Sequence, residues 1–185
     1  MVKTILSELN DKMDKTISVL KDEFMTIRAG KANPSILNKV SVEYYGADTP
    51  LSQMAGISAP EPRMIVVQPY DATMIAEIEK AIMVADLGFN PSNDGKMIRI
   101  AIPMLTEERR KELTKVVKKT GENAKVALRN ERRHALDSLK KMHKASELTD
   151  DDVRAAEKDV QDAMDKHTKV IDELIAEKEK DILAV

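Results

Sequence analysis

From residue 6 to residue 27 the apolar positions Leu6, Leu9, Met13, Ile17, Leu20, Phe24 and Ile27 advance by threes and fours, with polar residues between them. That spacing lays one apolar stripe along an α-helix. Near the other end Val153, Ala156, Val160, Ala163, His167, Val170, Leu174 and Ile182 follow the same rule approximately. A third stripe, Leu113, Val117, Ala124, Leu128, Ala135, Leu139 and Met142, predicts a helix from Thr106 to about Glu147. Thr106 is placed to cap that helix, with Glu107 and Glu108 at the positive end of its dipole. Thr149, followed by Asp150, Asp151 and Asp152, does the same for the last helix. Gly121 breaks the pattern at a cost of roughly 1 kcal/mol against alanine, and a kink is possible there. Helices of about 40 residues reach about 60 Å, and each must bury its stripe against the other two.

The middle of the chain has a different composition. All seven prolines (Pro34, Pro50, Pro60, Pro62, Pro69, Pro91 and Pro103) fall between residues 31 and 103, together with Gly46, Gly56, Gly88 and Gly95. Proline removes a backbone donor and glycine loosens the chain, so both concentrate where strands and turns alternate. Within this window "KVSVEYYG", "RMIVVQP" and "KMIRIAIP" read as strands, "DATMIAEIEKAIMVADLG" as a capped helix ending at Gly88, and "NPSNDG" as a turn. The expected fold is α+β in two domains. Residues 1–30 and 104–185 form a long antiparallel three-helix bundle, into which residues 31–103 are inserted as a small, β-rich α/β domain. Two short connections join them, one through Gly30, Lys31 and Ala32 toward Asn33, the other through Pro103, Met104 and Leu105, and paired connections suit a hinge.

Net charge is only −2, but its distribution is uneven. Residues 104–147 carry 13 Lys and Arg against 7 Asp and Glu, whereas residues 148–185 carry 6 against 12. The basic residues of the first segment share a face. With Leu128 at zero and 100° per residue, the packed stripe lies between about −40° and 20°. On the same scale Arg132, Lys125, Lys118, Arg129, Lys140 and Arg133 fall between about 40° and 140°. Charged residues on a bundle helix are usually a solvated face, and the acidic last helix is available to pair with this basic one. The sharper reading is a phosphate-binding surface, because the planar fork of arginine matches phosphate oxygens. No aromatic residue accompanies these arginines, so bases cannot stack there and readout would be of shape and phosphate. Structured RNA fits better than single strands.

Other chemistry finds little support. Cysteine is absent, and His134, His143 and His167 show no ligand spacing, so no metal is expected. The acidic run 150–152 is explained by a helix N-terminus. "NPSNDG" has one glycine and no Walker lysine. Tyr44 and Tyr45 would place one ring on each face of a strand, at least one of them in the core. No nucleophile stands beside a general base and no carboxylate pair marks a cleft, so neither enzymatic activity nor a cofactor is expected. The start, "MVKTILSELNDKMDK", turns acidic too early for a secretory signal, and no apolar run approaches the ~20 residues that span a bilayer. The expectation is a soluble cytoplasmic monomer without a membrane partner.

Several stretches converge on one family. "TIRAGKANPSIL", "VEYYGADTPL", "QPYD", "EKAIMVADLGFNPSNDGKMIRIAIPMLTEERRKEL" and "LRNERRHAL" together closely resemble the ribosome recycling factor family, in register over essentially the whole chain. The resemblance implies an L-shaped, two-domain protein that binds the post-termination ribosome, its bundle lying against large-subunit rRNA. Elongation factor G with GTP then acts on it and the subunits separate, releasing the mRNA. It implies no catalysis by the factor itself. The arginines resembling the family's rRNA-contacting set are Arg110 in "TEERRK" and Arg129 and Arg132 in "RNERR", with Arg132 foremost. Arg133, Lys125 and Lys118 on the same face and Arg28 near the hinge complete the candidate surface. The family more often has threonine and arginine where this chain has Ala29 and Lys31, and lysine keeps the charge while losing the bidentate fork. Two rivals from other classes predict different behaviour: a coiled-coil adaptor would associate through apolar burial insensitive to salt, and a generic RNA chaperone would bind many RNAs alike.

Overall fold

The computed structural model describes residues 1–27 and 30–184. Two compact units emerge from backbone proximity, Met1–Ile27 with Glu107–Val185, and Arg28–Thr106. The fold is α+β.

The first unit is a bundle of α1 (Val2–Thr26), α4 (Glu107–Lys144) and α5 (Asp150–Leu183). Its core is the meeting of three stripes: Leu9, Met13, Ile17, Leu20 and Phe24 with Leu113, Val117, Leu128 and Leu139, and with Val160, Ala163, Met164 and Ile171. In α5 the buried side is centred on Ile171, while Val170, expected there, is only half-buried. Ile27 lies just beyond the end of α1. α4 runs through Gly121 as one helix of 38 residues, about 57 Å at 1.5 Å per residue. Thr149 caps α5 in a reciprocal box: its hydroxyl accepts from the Asp152 N–H at 3.2 Å, and Asp152 Oδ2 accepts from the Thr149 N–H at 3.0 Å. Along α5 the partners of Lys118, Lys125 and Arg132 are Glu179, Asp172 and Gln161 in descending order, so α5 runs antiparallel to α4, and Thr16 of α1 bonds Glu131 of α4.

The second unit contains β1 (Ser41–Tyr44), β2 (Ala47–Pro50), α2 (Leu51–Met54), β3 (Ala55–Glu61), β4 (Met64–Pro69), α3 (Ile75–Val84), β5 (Pro91–Asn93) and β6 (Ile98–Ala101). β1 and β2 make a hairpin, and the others form an antiparallel sheet in the order β3-β4-β6-β5. Alternation on the two central strands faces Ile65 with Ile100 and Val67 with Ile98, all fully buried, and Ile75, Ile78 and Ile82 of α3 belong to the same core. Three elements escape the periodicity reading: β2, α2 and β3 are too short, or too rich in Gly, Pro and Ser, to show a pattern. "NPSNDG" is only partly a turn, since Pro91–Asn93 pairs with β6, and Asp94 closes the turn by accepting from the N–H groups of Lys96 and Met97. α3 stops at Val84 and not at Gly88, because Asp86 (φ 46°) and Gly88 (φ 75°) turn the chain into the left-handed region first. Tyr45 also departs from expectation. With Gly46 it forms the two-residue loop of the hairpin, φ 50° and 81°, so the two tyrosine rings meet edge to face with centroids 4.5 Å apart, and Tyr45 is 88% exposed.

Among the described residues no helix is long and apolar enough to cross a membrane.

Candidate nucleic-acid interface

The helical period brings the basic residues of α4 to its border with α5, and the two helices then treat lysine and arginine differently. Lys125 is only 19% exposed at its side chain; its Nζ lies 2.6 Å from Asp172 of α5 and 3.6 Å from Glu122. The hydrogen bond it donates to Asp172 is the main reason its pKa is raised. Lys118 stands 3.7 Å from Glu179, also on α5. Both cations therefore have an α5 carboxylate beside them, half-buried Lys125 in a hydrogen-bonded pair and Lys118 in a looser one at the surface.

The arginines Arg129, Arg132 and Arg133 meet no carboxylate of α5 among the described residues. Arg129 is 53% exposed at its side chain, and its nearest carboxylate is Glu122 of the same helix at 3.9 Å, beyond hydrogen-bond range. Arg133 is exposed, with no ion pair among the described residues. Arg132 is half-buried and donates from one Nη to Oε1 of Gln161 at 3.1 Å, an amide and not a carboxylate. Its Nε is buried without a hydrogen-bond partner, as is that of Arg110 one end of the helix away. Guanidinium groups held in this way keep donors and charge for an external acceptor. Arg28 lies outside the described residues, so the structure says nothing of its place beside the others.

Among the described residues no group of three or more His, Asp and Glu is arranged to hold a metal ion. His167 is 3% exposed and fully engaged: its Nδ1 meets the Ala163 carbonyl at 2.7 Å and its Nε2 meets Asp14 of α1 at 2.8 Å. His143 lies 2.7 Å from Asp150 across the α4–α5 turn.

The sequence model of the family described as "Ribosome recycling factor" matches residues 20–183. The chain belongs to the ribosome recycling factor family. A ribosome-recycling factor from Alkaliphilus oremlandii is 60% identical over 181 residues, 98% of each chain. Among solved structures, a solution structure of the ribosome recycling factor superposes with a TM-score of 0.85 at 35% identity, covering all of this chain and 98% of the other. A second, at 44% identity with a TM-score of 0.68 and full coverage of both chains, is described as the T. thermophilus ribosome recycling factor and the E. coli elongation factor G bound to the E. coli post-termination complex. Ribosome recycling, a step of protein biosynthesis, is therefore the setting in which this arginine face is to be understood.

The residues of the two connections, expected from the sequence to act as a hinge, have a definite local form. Gly30 has φ 72°, and a side chain there would come within 3.2 Å of Leu105 Cγ, so the incoming and outgoing strands lie side by side. The Ala32 N–H donates to the Pro62 carbonyl and the Ile102 N–H to the Arg63 carbonyl, which ties both strands to one turn. Lys31, Pro103 and Met104 are exposed. Ala29 lies outside the described residues. Sequence reasoning found Arg129, Arg132 and Arg133 through their period and Arg110 through the family resemblance, but not Gln161 and Asp165, whose part depends on which α5 position faces Arg132.

Proposed function

We propose that this chain recycles ribosomes after termination by laying the arginine face of α4 against phosphates of large-subunit rRNA, and that elongation factor G with GTP then drives the subunits apart. Arg132, Arg129, Arg133 and Arg110 carry the contact, Lys118 and Lys125 add to the local field, and Arg28 contributes near the connection. The factor works as a cytoplasmic monomer, with no cofactor and no reaction of its own. The connections Gly30–Ala32 and Pro103–Leu105 act as the hinge through which the inserted domain, residues 31–103, receives the push, while bundle residues 1–30 and 104–185 stay anchored. A related chain described with elongation factor G on a post-termination complex supports the choice of partners.

The observation that carries this reading is the contrast along one face of α4, where Lys118 and Lys125 stand against carboxylates of α5 while Arg129, Arg132 and Arg133 meet none there among the described residues. Fork-shaped cations left without an opposing carboxylate suit the paired oxygens of a phosphate. The test is polysome breakdown with elongation factor G and GTP. Breakdown should require this protein, and Arg132→Ala should weaken ribosome binding by about 1–3 kcal/mol. Full breakdown without the protein, or Arg132→Ala binding as tightly as the parent in co-sedimentation, refutes the assignment.

A further inference from the structure

We infer that Gln161 and Asp165 of α5 are positioning residues, which hold the Arg132 guanidinium in place while leaving its charge available to an RNA phosphate; this rests on the rRNA-binding role proposed for Arg132.

The three side chains form a directed chain. Asp165 Oδ1 accepts from Gln161 Nε2 at 2.8 Å, and Gln161 Oε1 accepts from an Arg132 Nη at 3.1 Å. A carboxylate only accepts and a guanidinium only donates, so the amide between them has one possible orientation. Asp165, one turn along α5 from Gln161, fixes the amide, and the amide in turn presents its oxygen to Arg132. Arg132 then has one Nη hydrogen engaged and its Nε turned inward and buried. Its other Nη hydrogens remain for an external acceptor.

The same seam shows what the alternative looks like. One and two heptads away, α5 opposes Lys125 with Asp172 and Lys118 with Glu179, both carboxylates; Asp165 holds the matching heptad position for Arg132, but it bonds Gln161 and makes no ion pair with the guanidinium. A carboxylate at position 161 would meet the guanidinium as an ion pair and compete with phosphate for the same fork. Instead the carboxylate sits one turn away, behind a neutral linker. An immobilised guanidinium with no carboxylate in direct contact loses less freedom when phosphate binds, and its fork is not already occupied by another anion.

The decisive variant exchanges the two groups. Gln161→Glu combined with Asp165→Asn keeps the net charge, places a carboxylate against Arg132, and alters only exposed positions. Its thermal melting should match the parent within a few degrees, but its affinity for intact ribosomes in co-sedimentation should fall about fivefold or more. The slope of log affinity against log salt should become shallower by about 1, as in Arg132→Ala. Gln161→Leu removes the holder without touching the charge, so it should lose about two- to threefold with the slope unchanged. If Arg132→Ala weakens binding while both the exchange and Gln161→Leu bind like the parent, the positioning role is wrong and the rRNA role stands. If Arg132→Ala itself binds like the parent, the rRNA role is wrong and the positioning role falls with it.

Discussion

A methyl group on Gly121 would lie 2.3 Å from Ile175 Cδ1 and 2.7 Å from Cγ1, across the seam between α4 and α5. The glycine that looks like a defect in the helical pattern is where a side chain of α5 packs directly onto the backbone of α4. Its missing side chain is filled by Ile175.

Gly121→Ala should therefore destabilise the bundle. Alanine gains about 1 kcal/mol of helix propensity, while overpacking costs about 1–3 kcal/mol, for a net loss on the order of 1 kcal/mol in urea unfolding. Combined with Ile175→Ala the losses should be less than additive, because the second truncation makes room for the first. A Gly121→Ala protein stabilised by the whole propensity gain would show that the helices can part without cost.

The polar tie between α1 and α5 runs through His167, buried on the core stripe, to Asp14 at 2.8 Å. Asp14→Ala should cost about 1 kcal/mol, the worth of one hydrogen bond whose carboxylate side is open to water that can take its place. His167→Ala also leaves a void in the core and should cost about 2–4 kcal/mol. Denaturant midpoints for the two variants give the ranking directly, and equal losses would contradict it.

Lysines and arginines of α4 should separate into two classes. Lys125→Ala should lower bundle stability by about 1 kcal/mol through loss of the Asp172 pair and change ribosome affinity little. Arg129→Ala and Arg133→Ala should do the reverse. Because Asp172 raises the pKa of Lys125, the stability from this pair is fully present below the ordinary lysine value and is lost only as pH rises through the raised one. The pair stays intact across the neutral range, so melting curves of parent and Lys125→Ala should differ equally at pH 6 and pH 8.

Acid should act on the cap of α5. The Thr149 backbone N–H and hydroxyl hold the Asp152 carboxyl below its usual pKa. Its contribution is complete above the ordinary aspartate value and disappears as pH falls through the depressed one. Asp152→Asn should flatten the acid limb of the stability profile relative to the parent, with the two curves converging at the lowest pH. Parallel profiles would show that the box contributes no pH-dependent stability.

The three long helices, the proline-rich insertion and the basic face of α4 could all be read from the chain, because each is written in local spacing: a period of 3.6, a cluster of residues that forbid helix, and charges a fixed angle apart. Family membership was equally legible, since it rests on the order of residues and nothing else. What the chain could not specify was anything settled by a neighbour distant in sequence. Pro91–Asn93 is a strand only because β6 lies beside it, and Gly121 is a packing site only because Ile175 arrives from 54 positions further on. Whether a cation on α4 is cancelled or left free depends on which α5 residue stands opposite: Asp172 for Lys125, Gln161 for Arg132. Periodicity states which way a side chain points from its own helix, whereas its electrostatic state is decided by the partner it finds there, and that pairing exists only once the helices have packed.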